Sequence, residues 1–161
     1  MSTSTESGSG LKQLIGTDDA TIDEKGRLLV GKKKRDRLGP DFVMYFGDSG
    51  CIYAYPQDTW DVLTSFALSH DMLNQGRQDY TRMLMGEAED ELNFDGQGRV
   101  VVPKRLRELA KLQEKVTLKG CGDRLEIWAT EEFAKYEANS SEYGRDRRDK
   151  MSKAFREMKG E

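Results

Sequence analysis

The stretch LNFDGQGRVVVPKRLRELA, residues 92–110, changes character three times within nineteen positions. It begins with an acidic, glycine-rich turn, continues as a β-branched run, and ends as a basic helical pattern after Pro103. A second, imperfect copy, ATIDEKGRLLVGKKKRDRLG, stands at residues 20–39. Self-similarity at a fixed separation is typical of a repeated structural unit. The sequence therefore predicts two copies of one supersecondary motif.

The two copies share their turn residues and the order of the elements that follow. At a constant shift of 72 positions the aspartate, glycine and arginine of the first turn recur in the second, as Asp23, Gly26, Arg27 and Asp95, Gly98, Arg99. Glycine adopts the positive φ of a tight turn at little cost, and an aspartate can hold an arginine across such a turn. Each copy then predicts a strand, a short helix, a hairpin and the start of a further helix.

Each copy is too small to fold by itself. A unit of about 45 residues lies near the size below which a domain needs disulfides, a metal or a partner. We therefore expect the copies to fold into one another around an approximate two-fold axis, with both turns at one rim. The predicted fold is mixed α+β and mainly β: two tandem repeats share one β-barrel-like core, with helices between and after them.

The pattern along the chain predicts five segments. The polar start is expected to be a flexible tail over residues 1–16. The repeats occupy residues 17–58 and 89–132, a helical connector residues 59–88, and a C-terminal helix with a charged tail residues 133–161. Helical spacing in the connector predicts a core stripe that comprises Trp60, Leu63, Phe66, Ala67, Tyr80, Met83 and Leu84.

The composition favours a soluble protein. The chain of 161 residues has a net charge of −3 and 36% hydrophobic residues, which suffices for a modest core. No stretch approaches the roughly eighteen consecutive apolar residues of a membrane span, and the N-terminus lacks the pattern of a signal peptide. We therefore expect a cytoplasmic protein with no membrane partner.

Residues that usually carry catalysis or bind metals are scarce. Cys51, Cys121 and His70, the sole histidine, are too few for a disulfide framework or an ordinary four-ligand zinc site. His70 has no paired nucleophile in the sequence, and no phosphate-cradling loop or nucleotide fingerprint is present. We expect reduced thiols, no cofactor, no metal, no small-molecule substrate and no enzymatic activity.

The motifs TIDEKGRLLV, FDGQGRVVVPKRLRELA and VTLKGCGDRLEIWATEEF resemble the MraZ family of bacterial transcription regulators. The resemblance covers about residues 17–135, and its most specific feature is the doubled Asp-x-x-Gly-Arg turn. It implies two tandem SpoVT/AbrB-type swapped-hairpin domains that bind double-stranded DNA. It also implies recognition of short direct repeats before a division and cell-wall gene cluster, including the protein's own promoter, a ring-shaped homo-oligomer and a place in the nucleoid.

The candidate DNA contacts are nine cations near the turns: Lys25, Arg27, Lys32, Lys33, Lys34, Arg35, Arg99, Lys104 and Arg105. Arginine on a protruding turn presents a planar fork to guanine edges or phosphates. KKKRDR, residues 32–37, is the densest positive cluster, and we expect it to contact phosphates beside the first turn. Lys25 makes that turn more basic than the second, so we expect the first turn to enter the groove. The turns themselves are clamped by Asp23, Gly26, Asp95 and Gly98.

The first helix departs from the family pattern. Gly31 stands where the second copy has Pro103, and Lys34 and Arg37 stand where the second copy has apolar leucines. Both changes predict a first helix that is short, frayed, or held down only through Leu38 and lysine stems.

Two other binding functions compete with DNA recognition. The same hairpin fold serves as an antitoxin-like interaction module, in which case the charged C-terminus would bind a protein partner. RNA binding is a third reading, but the sequence lacks the interleaved aromatic residues on which single-stranded bases stack. Deletion of residues 140–161 separates the first alternative from DNA binding.

Overall fold

The computed structural model describes residues 13–138 and 145–160. The first repeat contains β1 (Leu14–Thr21), β2 (Arg27–Leu29), α1 (Lys32–Leu38), β3 (Phe42–Phe46) and β4 (Ile52–Pro56). The connector contains α2 (Gln57–Leu68) and α3 (Gln75–Leu84). The second repeat contains β5 (Glu89–Leu92), β6 (Arg99–Val101), α4 (Lys104–Leu109), β7 (Lys115–Gly122) and β8 (Leu125–Ala129), and α5 (Thr130–Ala138) and α6 (Arg145–Met158) follow.

The first strand begins before the predicted boundary of the first repeat. Leu14 is buried and pairs with Gly122 of β7, so β1 takes in three residues that the sequence assigned to the tail. The remainder of the predicted flexible tail, residues 1–12, lies outside the described residues.

The two repeats alternate within one antiparallel sheet. Its six strands stand in the order β1-β7-β8-β4-β3-β5, so each repeat contributes an edge strand and a hairpin. Exchange of the two repeats maps β1 on β5, β7 on β3, and β8 on β4, which is the approximate two-fold relation that the sequence predicts. The mixed α+β fold with interlocked repeats is confirmed, as a six-stranded sheet and a separate short ribbon.

The ribbon consists of β2 and β6, one strand from each repeat. Leu28 lies opposite Val100, and both side chains are buried in the core. The ribbon continues symmetrically, since Val30 N donates to Gly98 O at 3.1 Å and Val102 N donates to Gly26 O at 2.8 Å. Because its residues join the same apolar cluster as the sheet and the short helices, the repeats share a single core.

The first short helix is complete, and a buried charge helps to hold it. Lys34 is only 4% exposed; its Nζ donates to Asp18 Oδ2 at 2.6 Å and to Ile15 O at 3.1 Å. Leu38 at the end of α1 is also buried. The alternative of a frayed helix is therefore wrong, and the alternative of anchoring through Leu38 and a lysine stem is confirmed. Lys34 ties α1 to β1 at the position where the second repeat buries Leu106.

The connector helices bury less apolar surface than their sequence predicts. Ala67 and Leu84 are buried, but Phe66 is 69% and Met83 71% exposed. The prediction of a fully buried stripe is wrong for these two residues and for half-exposed Tyr80. Trp60 makes the aromatic contacts between α2 and the sheet. Its ring centroid lies 6.0 Å from that of Tyr55 and 6.2 Å from that of Tyr45.

Among the described residues, 131–138 and 145–160 belong to a second compact unit. In α6, Met151, Phe155 and Met158 recur at helical spacing and are all more than half exposed. Across the described residues, no helix combines the length and the apolar character needed to span a bilayer.

Candidate nucleic-acid interface

The first turn is organised around the carboxylate of Asp23. Its Oδ1 accepts hydrogen bonds from the backbone N–H groups of Lys25 at 3.0 Å and Arg27 at 2.9 Å. Its Oδ2 accepts from Arg27 Nε at 2.7 Å. Gly26, at φ +84°, donates its backbone N–H to Asp23 O and thereby closes the turn. The carboxylate thus holds both the backbone and the side chain of the arginine.

The second turn repeats this arrangement around Asp95. Oδ1 accepts from the backbone N–H groups of Gln97 at 2.8 Å and Arg99 at 3.0 Å, and Oδ2 accepts from Arg99 Nε at 3.1 Å. Gly98 has φ +82° and donates to Asp95 O at 3.1 Å. Two sequences that differ at the tip, with Lys25 in one and Gln97 in the other, therefore produce the same turn.

Both aspartates have a lowered pKa for the same reason. The backbone N–H of Arg27 is the largest influence on Asp23, and that of Arg99 is the largest on Asp95, because each donates to the charged carboxylate. Desolvation raises each pKa, but the hydrogen bonds and the guanidinium outweigh it. Each carboxylate therefore stays ionised, and able to accept hydrogen bonds from its arginine, to a lower pH than an ordinary aspartate.

The held arginines share the outward face of the ribbon. Arg27 lies opposite Val101 and Arg99 opposite Leu29, while the intervening Leu28–Val100 pair faces the core. The side chains of Arg27 and Arg99 are 36% and 30% exposed. Within the described part of the chain, neither arginine has a hydrogen-bond partner at its two terminal guanidinium nitrogens. Each aspartate occupies only the Nε, so the fork remains available to a ligand.

The two turns lie at opposite ends of the antiparallel ribbon and not side by side as predicted; what they share is the outward face of the ribbon, on which both arginines lie. Arg27 and Arg99 stand two positions apart on neighbouring strands of that face. The separation is small enough for one ligand to contact both arginines.

Each turn is backed by an arginine of the other repeat. Arg107 of α4 donates its Nε to Val102 O at 2.9 Å, and a Cβ at Gly26 would lie 2.8 Å from that Nε. Arg35 of α1 donates to Val30 O at 2.8 Å and stands equally close to Gly98. The basic helix of the first repeat therefore lies beside the second turn. The sequence had predicted that it would lie beside the first turn. Arg35 and Arg107 position the turns.

The remaining candidate cations differ in availability. Lys25, Lys33 and Lys104 are exposed, and Lys32 is exposed but paired with Asp36, its Nζ lying 2.8 Å from Asp36 Oδ2. Arg105 is exposed but ion-paired, with its Nη1 at 2.8 Å from Glu87 Oε1. Lys34 is enclosed and paired with Asp18, so its ammonium cannot reach DNA and it leaves the candidate set. The alignment of Lys34 with Leu106 was the signal for a buried position.

Two outward residues of the ribbon were missed by the sequence analysis. Leu29 is 51% and Val101 is 55% exposed, on the same face as the arginines. The alternation along RLLV and RVVV contains this information, because residues two apart in a strand face the same side.

The cysteines are free thiols in this structure. Cys51 is fully buried, and burial raises its pKa well above the ordinary value, so it remains a neutral thiol. Burial also raises the pKa of Cys121. No group of three or more histidine, cysteine or acidic residues suited to a metal occurs among the residues that the structure describes.

Known proteins are similar to this chain over most of its length. A family described as "MraZ protein, putative antitoxin-like" matches residues 14–80 and 83–155. A protein named "Transcriptional regulator MraZ" from Limosilactobacillus reuteri is 33% identical over 129 residues, which is 80% of this chain and 90% of the relative. A protein of the same name from Syntrophomonas wolfei is 36% identical over 126 residues, 78% of this chain and 87% of that relative. Another, from Lactiplantibacillus plantarum, is 33% identical over 127 residues, 79% and 89% of the two chains.

Proposed function

The chain belongs to the MraZ protein family, and we propose that it acts as a DNA-binding transcriptional regulator through the outward face of its β2–β6 ribbon. One observation carries this proposal: each repeat contributes a strand that begins with an aspartate-held arginine, and both arginines lie on one exposed face. A two-stranded ribbon fits the DNA major groove, which is about 12 Å wide.

The ion pairs prepare the arginines for base recognition. A free arginine side chain loses rotamer freedom when it binds, whereas Asp23 and Asp95 already hold Arg27 and Arg99 at Nε. The terminal nitrogens then form the bidentate pair with guanine O6 and N7 that is the commonest specific contact in the major groove. The two aspartates therefore stabilise the turns and also hold the arginines ready to bind DNA.

Exposed lysines supply the contacts to the DNA backbone. Lys104 belongs to α4, whose Arg107 backs the first turn, and Lys32 belongs to α1, whose Arg35 backs the second. Lys33 and Lys25 add further positive charge, the latter at the tip of the first turn. Phosphate contacts orient the protein without reading sequence. The extra charge of Lys25 favours deeper entry of the first turn.

The family resemblance supports a proposal for the biological target. The bound DNA is a set of short direct repeats ahead of a division and cell-wall gene cluster, and it includes the protein's own promoter. The protein accordingly resides in the cytoplasm in association with the nucleoid. It acts by binding and has no enzymatic activity.

Self-association multiplies this binding. The connector exposes apolar side chains that a monomer would ordinarily bury, including Phe66 at 69% and Met83 at 71% exposure. A ring of copies that covers these side chains places several ribbons on successive repeats, which raises affinity through effective concentration. Phe66→Ser with Met83→Ser reduces the mass measured by light scattering, whereas Ile15→Ser, on a strand residue that is 55% exposed, leaves it unchanged.

The DNA-binding proposal is tested by removal of the two guanidinium groups. Arg27→Ala with Arg99→Ala is compared with wild type by fluorescence anisotropy on the DNA upstream of the protein's own gene. Loss of two bidentate contacts, at roughly 1–3 kcal/mol each, weakens specific binding by at least about 30-fold. The matched control is Arg82→Ala, which removes an exposed, aspartate-paired arginine from α3. Equal affinities of the double variant and wild type would refute the proposal.

An antitoxin-like interaction is the second candidate, and a specific observation favours it. The family's description includes the antitoxin class, and α6 presents Met151, Phe155 and Met158 to solvent. If this helix binds a protein partner, deletion of residues 140–161 abolishes the regulatory activity of the protein. If the ribbon binds DNA, Lys25→Ala with Arg27→Ala abolishes that regulatory activity, and the deletion is tolerated.

A further inference from the structure

The outward face of the ribbon carries two apolar side chains between its arginines. Arg27 and Leu29 lie on one strand of this face, and Arg99 and Val101 lie on the other. Each apolar residue therefore has one arginine two positions away on its own strand and another directly opposite. Leu29 is 51% and Val101 55% exposed. A one-sided antiparallel strand ordinarily places polar residues on its solvent face. These two positions depart from that pattern in both repeats and at symmetry-equivalent sites.

We propose that Leu29 and Val101 are specificity residues that contact the methyl groups of thymine bases in the major groove. The inference rests on the proposed DNA-binding function and names what the same surface reads besides guanine. Thymine carries the one apolar group of the major-groove edges, its C5-methyl, and apolar side chains recognise it by contact.

The surrounding charges identify the partner of these apolar residues as DNA rather than protein. Both are flanked by guanidinium groups with free terminal nitrogens, as described above for Arg27 and Arg99. An apolar protein surface docked here would desolvate two arginine–aspartate pairs without supplying acceptors for those nitrogens. A base-pair edge supplies both kinds of group, acceptors on guanine and a methyl on thymine.

The spacing limits where the methyl groups can lie. Residues two apart on a strand are separated by about 6.6 Å, and residues directly opposite by about 5 Å. Successive base pairs rise by about 3.4 Å. Each contacted methyl group therefore lies within about two base pairs of a contacted guanine. Because the two strands of the ribbon are antiparallel, the second repeat contacts a guanine and a thymine in the reverse order along the DNA.

Replacement of thymine by uracil removes these methyl groups without altering base pairing. The probe is the DNA upstream of the protein's own gene, prepared once with thymine and once with uracil throughout. Burial of one methyl group changes affinity about fourfold, so two contacts predict a loss of roughly 10- to 15-fold for wild type on uracil DNA. Leu29→Ser with Val101→Ser weakens binding to thymine DNA and brings the thymine-to-uracil ratio close to one.

The double variant also controls for any change that uracil makes to DNA shape. A general effect of shape persists in the variant, whereas a direct contact disappears from it, as in a double-mutant cycle. Ile15→Ser, on a residue of similar exposure in β1, retains the wild-type ratio. Urea unfolding of each variant verifies that the fold is kept.

Three results would overturn the inference. A wild-type ratio near one, with upstream DNA still preferred over scrambled DNA, removes methyl readout and leaves the proposed function intact. An undiminished ratio in the double variant places methyl recognition elsewhere on the protein. Equal wild-type affinity for upstream and scrambled DNA removes the proposed function itself, and the inference with it.

Discussion

Gly98→Ala is expected to destabilise the fold by roughly 2–3 kcal/mol. An alanine at φ +82° costs about 1 kcal/mol relative to glycine, after allowance for the entropy that it removes from the unfolded chain. Its Cβ would also stand 2.8 Å from Arg35 Nε, which donates to Val30 O. Displacement of this half-buried guanidinium breaks a charged hydrogen bond worth about 1–2 kcal/mol here. At least half of the penalty therefore arises from contact between the two repeats, and the rest from the positive φ of this position.

The measurement is urea unfolding followed by the fluorescence of Trp60 and Trp128, at one fixed protein concentration because self-association would shift the transition. Gly96→Ala is the matched control: it lies in the same turn, and no described residue comes within 4 Å of its Cβ. We expect Gly96→Ala to remain within about 0.5 kcal/mol of wild type or above it. A difference of only about 1 kcal/mol between the two variants, which the positive φ of Gly98 alone explains, would refute the inferred packing of Arg35 against the second turn.

Other perturbations probe the buried charge and the turn carboxylates. Lys34→Met keeps the unfolding free energy within about 1 kcal/mol of wild type, because Asp18 is half exposed and stays solvated, while Lys34→Ala loses about 2 kcal/mol to a cavity. Both variants retain wild-type DNA affinity by anisotropy, and a large loss would return Lys34 to the binding surface. Carboxyl NMR titration gives Asp95 a pKa below 3.8, and this persists in Arg99→Gln because the backbone N–H is the largest cause. Since the folded pKa is depressed, this carboxylate stabilises the turn above its ordinary pKa, and the effect is lost only as pH falls through the lowered value.

The interlocked fold could be predicted because two independent sequence signals agree. The 72-residue shift between the Asp–Gly–Arg turns defines the repeat, and the small size of each copy requires a shared core. The strand order then places the hairpin of each repeat against the edge strand of the other. Sequence alone could not assign the helix arginines to the opposite turns, since that pairing depends on how the repeats exchange partners.

The site was less predictable because the charge of a residue does not show which side of its helix it occupies. Residues 32–37 appear as one solvated cationic cluster, yet the helix turns Lys34 into the core and Arg35 toward a backbone carbonyl. Comparison with Leu106 in the second repeat marks the third position as buried. The exposed Phe66 shows the converse error, because helical periodicity identifies an apolar face without showing what covers it.

The most direct test measures wild-type affinity for upstream and scrambled DNA at two salt concentrations. The four exposed candidate lysines, Lys25, Lys32, Lys33 and Lys104, predict that log K falls with log salt at a slope of about −3.6 per protomer if each neutralises one phosphate. At physiological salt the upstream DNA is expected to bind at least about 1,000-fold more tightly than the scrambled DNA. An affinity that does not change with salt concentration, or equal affinity for both DNAs, would contradict recognition of DNA by the arginine-bearing ribbon.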